Sequence, residues 1–204
     1  MRPIQLLAIA AALLSTVPAV EAQDTRVVLE ARAGFAVPTG EWNEEDILDN
    51  GFGFGGSVKG MVTSAVGVYV GWETYTYRIE RADLGDVKAN ATDAGFRAGV
   101  ALHVPIPRYP ALTPYVEAGG IYNRVFIGAS NPVASLEIES DASLGFEAGI
   151  GVSVALSPYV SLMPSLRYRQ HKADFEGFPE LEAIIGRDPT VSYIVYGVGL
   201  SFRP

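Results

Sequence analysis

The sequence predicts an all-β chain whose eight antiparallel strands close into a transmembrane up-and-down barrel. Three observations carry this prediction. Beyond residue 22 the chain alternates apolar and polar side chains with period two through eight successive segments, which is the pattern of strands and not of helices. The apolar face of each segment holds one aromatic toward the same rim: Phe35, Phe52, Trp72, Phe96, Tyr122, Phe146, Tyr168 and Tyr196. The connections also sort by length, short at one end of the strands and long at the other, as in barrels that cross a membrane.

Residues 1–22 read as a signal peptide removed from the mature chain. Arg2 supplies the positive charge, Ile4 to Leu14 form a predominantly apolar run, and Val20-Glu21-Ala22 places small residues where a signal peptidase reads them. The run is too short to span a bilayer, and Ser15, Thr16 and Pro18 follow it. Residues 23–204 then form one barrel domain.

The first segment, Arg26 to Val37, sets Val27, Leu29, Ala31, Ala33 and Phe35 against Val28, Glu30, Arg32 and Gly34. The second, Gly51 to Val62, sets Phe52, Phe54, Val58 and Val62 against Gly51, Gly53, Gly55, Ser57 and Lys59. The third opposes Val66, Val68, Val70 and Trp72 to Gly67, Tyr69, Gly71 and Glu73. In the fourth, Ala94, Phe96, Ala98, Val100, Leu102 and Val104 alternate with Gly95, Arg97, Gly99, Ala101 and His103. The fifth has Val116, Ala118, Gly120 and Tyr122 opposite Tyr115, Glu117, Gly119 and Asn123. The sixth is the cleanest, with Leu144, Phe146, Ala148, Ile150, Val152 and Val154 against Gly145, Glu147, Gly149, Gly151 and Ser153. The seventh sets Val160, Leu162, Leu166 and Tyr168 against Ser161, Ser165, Arg167 and Arg169, and the eighth sets Ile194, Tyr196, Val198, Leu200 and Phe202 against Tyr193, Gly197, Gly199 and Ser201. Short connections are expected at Thr63-Ser64-Ala65, Pro107 to Leu112 and Ser157-Pro158; long ones at Pro38 to Asn50, Glu80 to Thr92, Val125 to Asp141 and His171 to Thr190.

Period two alone would also suit a soluble ligand-binding barrel, so the composition of the polar face decides. That face mixes glycine with isolated Glu, Arg and Lys, whereas a solvated face is dense in Lys, Glu, Thr and Ser. Such a face suits a narrow lumen, with the apolar face turned to lipid. Matching heights on neighbouring strands pairs Glu30 with Lys59, Glu73 with Arg97, His103 with Glu117, and Glu147 with Arg167. An eight-stranded barrel is just wide enough for side chains to fill, so these charges are expected to neutralise one another in a plugged lumen as a structural network. Arg32 and Arg169 are left over and read as anion guides near the outer rim.

With no cysteine, the chain has no disulfide, thiolate metal site or thiol nucleophile, and a net charge of −8 gives no footprint for nucleic acid. Gly51-Phe52-Gly53-Phe54-Gly55-Gly56 matches the glycine string of dinucleotide folds, but it lies within a strand with no following helix to meet a phosphate. No cofactor, metal or catalytic residue is assigned. Glu41, Glu44, Glu45, Asp46 and Asp49, with Asp174, Glu176, Glu180, Glu182 and Asp188, make the loops acidic, and a solvated surface outweighs a divalent-cation site there. Ile47-Leu48, Phe175, Phe178, Leu181, Ile184 and Ile185 put apolar groups among those charges, for a partner or for packing on each other.

Over the whole mature chain these segments, the glycine-rich lumen face and the closing Tyr196-Gly197-Val198-Gly199-Leu200-Ser201-Phe202 resemble the small eight-stranded outer-membrane barrels of the OmpA and OmpX type. The last strand resembles the assembly signal of that family, which ends on its terminal aromatic, although Arg203 and Pro204 follow here. The resemblance implies a porin-family-like protein of the bacterial outer membrane in contact with its lipid, a monomer that is structural or adhesive, with a surface ligand or host factor as partner. A small porin-like channel is the alternative. A lipid A-modifying enzyme is the third reading. The stretch ending at His171 loosely resembles lipid A deacylases, whose catalytic His is followed two places on by the nucleophilic Ser, but Ala173 stands there in this chain.

Overall fold

The computed structural model describes residues 27–40, 48–79, 88–130, 135–175 and 189–204. Its strands are β1 (Val27–Thr39), β2 (Gly51–Met61), β3 (Val66–Ile79), β4 (Lys88–His103), β5 (Leu112–Ser130), β6 (Ser135–Glu139), β7 (Ser143–Ala155), β8 (Val160–Lys172) and β9 (Thr190–Phe202). All pairings are antiparallel between neighbours, and β1 pairs with β9, so the eight long strands close into a barrel and each has a partner on both sides. β6 is a short extra strand on the outer end of β5.

β6 falls within the stretch expected to be a loop. It continues β7 across a bulge: Asn123 pairs with Ser143 below it, and Phe126 pairs with Glu139 above it, so the β6–β7 side carries one extra residue. Ser140 bridges the break, its backbone N–H donating to the Val125 carbonyl at 2.8 Å and its Oγ accepting from Val125 N at 2.9 Å. The outer ends of β4 and β5 likewise run into the expected connections, to Lys88 and Ser130, while β3 ends at Ile79, just short of one; Tyr75, Tyr77 and Asp93 keep the alternation in phase and point inward.

The two faces are sorted as the alternation predicts. Leu144 is 80% exposed and Phe146 50%, while Glu147, next along the strand, is 2% exposed. Exposed apolar side chains from Leu29 to Phe202 form a continuous outer belt around the barrel. Within it Phe35 lies opposite both Phe52 and Tyr196, and Phe96 opposite both Trp72 and Tyr122. Elsewhere the aromatic of the next strand in chain order is displaced toward the short-turn end: Phe52 lies opposite Thr76 and not Trp72, Phe146 opposite Gln170 and not Tyr168, and Tyr168 opposite Ile194 and not Tyr196. Displacement in one sense is what a level ring needs when the strands tilt across it.

The β2–β3 and β7–β8 turns share one device. Thr63 Oγ1 accepts from Ala65 N and Val66 N, and Ser157 Oγ accepts from Tyr159 N and Val160 N. The hydroxyl holds a tight turn that backbone groups alone would leave unsatisfied. At the opposite end, Tyr75, Tyr77, Ala91, Val125, Ile138, Val191 and Tyr193 close over the lumen with Leu48 and Phe175 from the loop stretches. These two loop residues therefore pack inward. The remaining expected loop groups, Glu41, Glu44, Glu45, Asp46, Ile47, Glu176, Phe178, Glu180, Leu181, Glu182, Ile184, Ile185 and Asp188, lie outside the described residues.

Candidate functional site in the charged lumen

Each inward position on a strand is flanked in register by another, so size must alternate for a narrow interior to close. The sequence meets this with glycine beside bulk. A Cβ on Gly55 would stand 2.4 Å from Glu73 Cγ, one on Gly149 2.5 Å from Arg167 Cγ, and one on Gly119 2.7 Å from the Tyr69 hydroxyl. The glycine floor lets long side chains lie across the barrel and reach the opposite wall.

That crossing sets the ion-pair pattern. Among the described residues five carboxylates, Glu30, Glu73, Asp93, Glu117 and Glu147, are buried with five permanent cations, Arg32, Lys59, Arg97, Arg167 and Arg169. At the short-turn end Lys59 Nζ stands 2.5 Å from Glu30, which also accepts from Arg32 at 2.8 Å and from Ser57 at 3.1 Å. Arg32 then spans from β1 to β5 and donates both terminal nitrogens to Glu117, at 2.7 and 3.0 Å. Arg97 on β4 is the hub, with contacts to Glu73 at 2.8 Å, Glu147 at 2.7 Å and Glu117 at 3.2 Å. Arg167 on β8 reaches Glu73 on β3, donating at 2.8 Å to both carboxylate oxygens and to the Tyr75 hydroxyl. Tyr69 donates to Glu147 at 2.8 Å, again from wall to wall.

Glu30 with Lys59 and Glu73 with Arg97 thus stand together as matched heights predict. Glu147 and Arg167 approach only to 3.9 Å, since Arg97 and Tyr69 occupy Glu147. His103 does not meet Glu117, which is taken by Arg32 and Arg97. It lies against the Tyr115 ring, at 5.6 Å between centroids. With Lys59 and Glu30, His103 lines a cavity of about 690 Å³ at the short-turn end. Arg32 and Arg169 are not rim groups. Arg32 is inside the network, and Arg169 is fully buried beside the Tyr75 and Tyr193 rings, at 3.5 Å from Glu73 and from Glu147. The cause is length: an Arg stem of the inner face extends along a glycine neighbour to a distant carboxylate where a height-matched pairing assumes short reach.

Above Arg169 lies a group that matched heights did not reveal. Asp93 accepts from Asn123 Nδ2 at 2.8 Å and from the Tyr193 hydroxyl at 2.5 Å, and stands 3.2 Å from His171 Nε2. The other ring nitrogen of that imidazole, Nδ1, is 3.2 Å from Ser143 Oγ. The same nitrogen stands 2.9 Å from the Lys172 carbonyl, so it faces an acceptor there. Asp93 lies one residue beyond the expected fourth segment, in phase with Gly95 and Arg97, and extending the alternation outward would have found it.

The glycine string Gly51 to Gly56 lies in β2, with Phe52 and Phe54 exposed on the outer belt, and opens no helix.

A family model for the outer membrane protein beta-barrel domain matches residues 7–203. No curated protein matches at a significant level. Among solved structures the chain is similar to Neisserial surface protein A, with TM-score 0.59 and 16% identity over 87% of this chain and 97% of that one. It is similar to a major outer membrane protein of Thermus thermophilus, with TM-score 0.58 and 15% identity over 89% of this chain and 100% of that one. For the outer membrane protein OprG of Pseudomonas aeruginosa the values are TM-score 0.54 and 12% identity, over 88% and 96%.

Proposed function

The chain belongs to the outer membrane protein beta-barrel domain family, and from that premise we propose that it is a closed surface scaffold, structural or adhesive, whose outer loops meet a surface ligand or host factor. Its place is the bacterial outer membrane, with the exposed apolar belt toward lipid and the aromatic ring at the headgroup layer. The observation that carries the scaffold reading is the cross-barrel network. Charges from β1, β3, β4, β5, β7 and β8 meet at salt-bridge distance across the axis, and an apolar cluster lies over them at the outer end.

An open water path would have to break several of these pairs at once, and each buried charge left alone costs several kcal/mol. A chain whose interior is filled with cross-links has its outer end left for contact. The scaffold reading and the channel reading part on conductance. Purified protein in planar bilayers is expected to give no steady openings of porin size. Sustained ohmic steps would replace the scaffold with a small channel. For the loops, a binding screen with the intact protein in nanodiscs is expected to recover a ligand that is lost when residues 176–188 are replaced by a Gly-Ser linker, with the gel shift of the folded barrel retained.

A further inference from the structure

We propose that the cavity at the short-turn end of the barrel binds a small monocarboxylate with an apolar body, reached from the periplasmic side. The proposal goes beyond the scaffold reading and stands at the opposite end of the barrel from the long loops.

Short turns face the periplasm in outer-membrane barrels, and Thr63 and Ser64 of the β2–β3 turn line this cavity of about 690 Å³. Its size is that of a small-molecule site. The floor is charged, and its donors outnumber its acceptors. Lys59, 1% exposed, gives one of its three ammonium protons to Glu30 Oε1 at 2.5 Å. Glu30 is already crowded as an acceptor, since its Oε2 takes Arg32 at 2.8 Å and Ser57 at 3.1 Å. His103, 8% exposed, lines the same cavity, and its Nε2 has no hydrogen-bond partner among the described residues. Buried polar groups left without a partner are costly. A carboxylate on this floor supplies the acceptor oxygens it is short of.

Charge selects a monoanion. The five buried carboxylates and five buried permanent cations of the lumen already balance, so Arg203, which also lines the cavity, is a sixth cation outside that balance. Its backbone is fixed there, the N–H donating to the Tyr159 carbonyl in the β7–β8 turn at 2.8 Å. The residue that departs from the family pattern by following Phe202 thus brings a spare guanidinium to the cavity, and a guanidinium matches a carboxylate in shape as well as charge.

The walls select the apolar body. Val28, Met61 and Met163 face the cavity from β1, β2 and β8, and thioether side chains adapt to ligands of more than one shape. An inorganic anion would leave these walls without contact, and a neutral apolar molecule would leave the donors unmet.

Met61 and Met163 are the only methionines beyond residue 22, so the cavity can be watched directly. The test is a methyl NMR titration of the folded protein, labelled with methyl-13C methionine and held in phosphatidylcholine nanodiscs, with the two resonances assigned through Met61→Leu and Met163→Leu. Hexanoate is expected to shift both resonances to saturation. In Arg203→Ala the half-point should rise about tenfold, the scale of one charge-assisted hydrogen bond. Arg203 lies beyond the last strand, so this variant is expected to keep the gel shift on heating. Hexan-1-ol and inorganic phosphate at the same concentrations are expected to leave both resonances in place. The proposal is overturned by the absence of a saturable hexanoate shift, by an equal response to hexan-1-ol or phosphate, or by a half-point unmoved in Arg203→Ala.

Discussion

Arg97 shows what one lumen residue does for the fold. It serves Glu73, Glu117 and Glu147 together, so Arg97→Ala leaves three buried carboxylates short of a partner. The expected loss is about 3–5 kcal/mol, the scale of breaking a buried pair by removing one member. Urea titration in phospholipid vesicles, followed by the heat-modifiable gel shift, measures it; a change under about 1 kcal/mol would show the network to be dispensable. Arg124 and Glu139 form an exposed pair, and Glu139→Ala is expected to cost less than about 1 kcal/mol in the same titration. Gly119→Val should fail to give folded protein, because the added Cβ would stand 2.3 Å from the Ala98 carbonyl oxygen and 2.7 Å from the Tyr69 hydroxyl. At this scale the sequence was legible in polarity and only half legible in pairing. Alternation says that Glu147 and Arg97 both point inward, but it cannot say that the Arg97 stem crosses to β7, since reach across an interior depends on which opposing positions are glycine.

Strands were legible where a lipid-facing apolar side chain recurs, and their outer ends were not. β3, β4 and β5 continue past the aromatics, and there the outward residues turn polar: Thr76, Arg78, Asn90, Thr92 and Arg124. Apolar–polar contrast vanishes when both sides meet polar surroundings, so a strand in water looks like a loop. The inward set Tyr75, Tyr77, Asp93 and Val125 keeps its phase and is the signal that survives. The bulge between β6 and β7 was hidden for the same reason, because one inserted residue is invisible until its neighbours' register is known. The turns are a milder test. Ser157→Ala removes the acceptor for Tyr159 N and Val160 N, and is expected to cost about 0.5–1.5 kcal/mol in the urea titration without altering the fold. An effect of several kcal/mol would mean that the turn governs closure.

For the whole molecule, the central claim is that apolar side chains face lipid while the charges neutralise one another around the axis. Among the described residues, five buried carboxylates against five buried permanent cations make the interior neutral when its histidines are neutral, although the chain as a whole carries −8. The excess negative charge therefore lies outside that network. The chain has no cysteine, so a single one can be placed and labelled at will. Val198, midway along β9 and exposed on the outer belt, is the position of choice. A spin label on Val198→Cys, with the protein folded in phospholipid bilayers, is predicted to collide far more with oxygen than with a water-soluble nickel chelate. Collision dominated by the nickel chelate would put that face in water and contradict the membrane barrel.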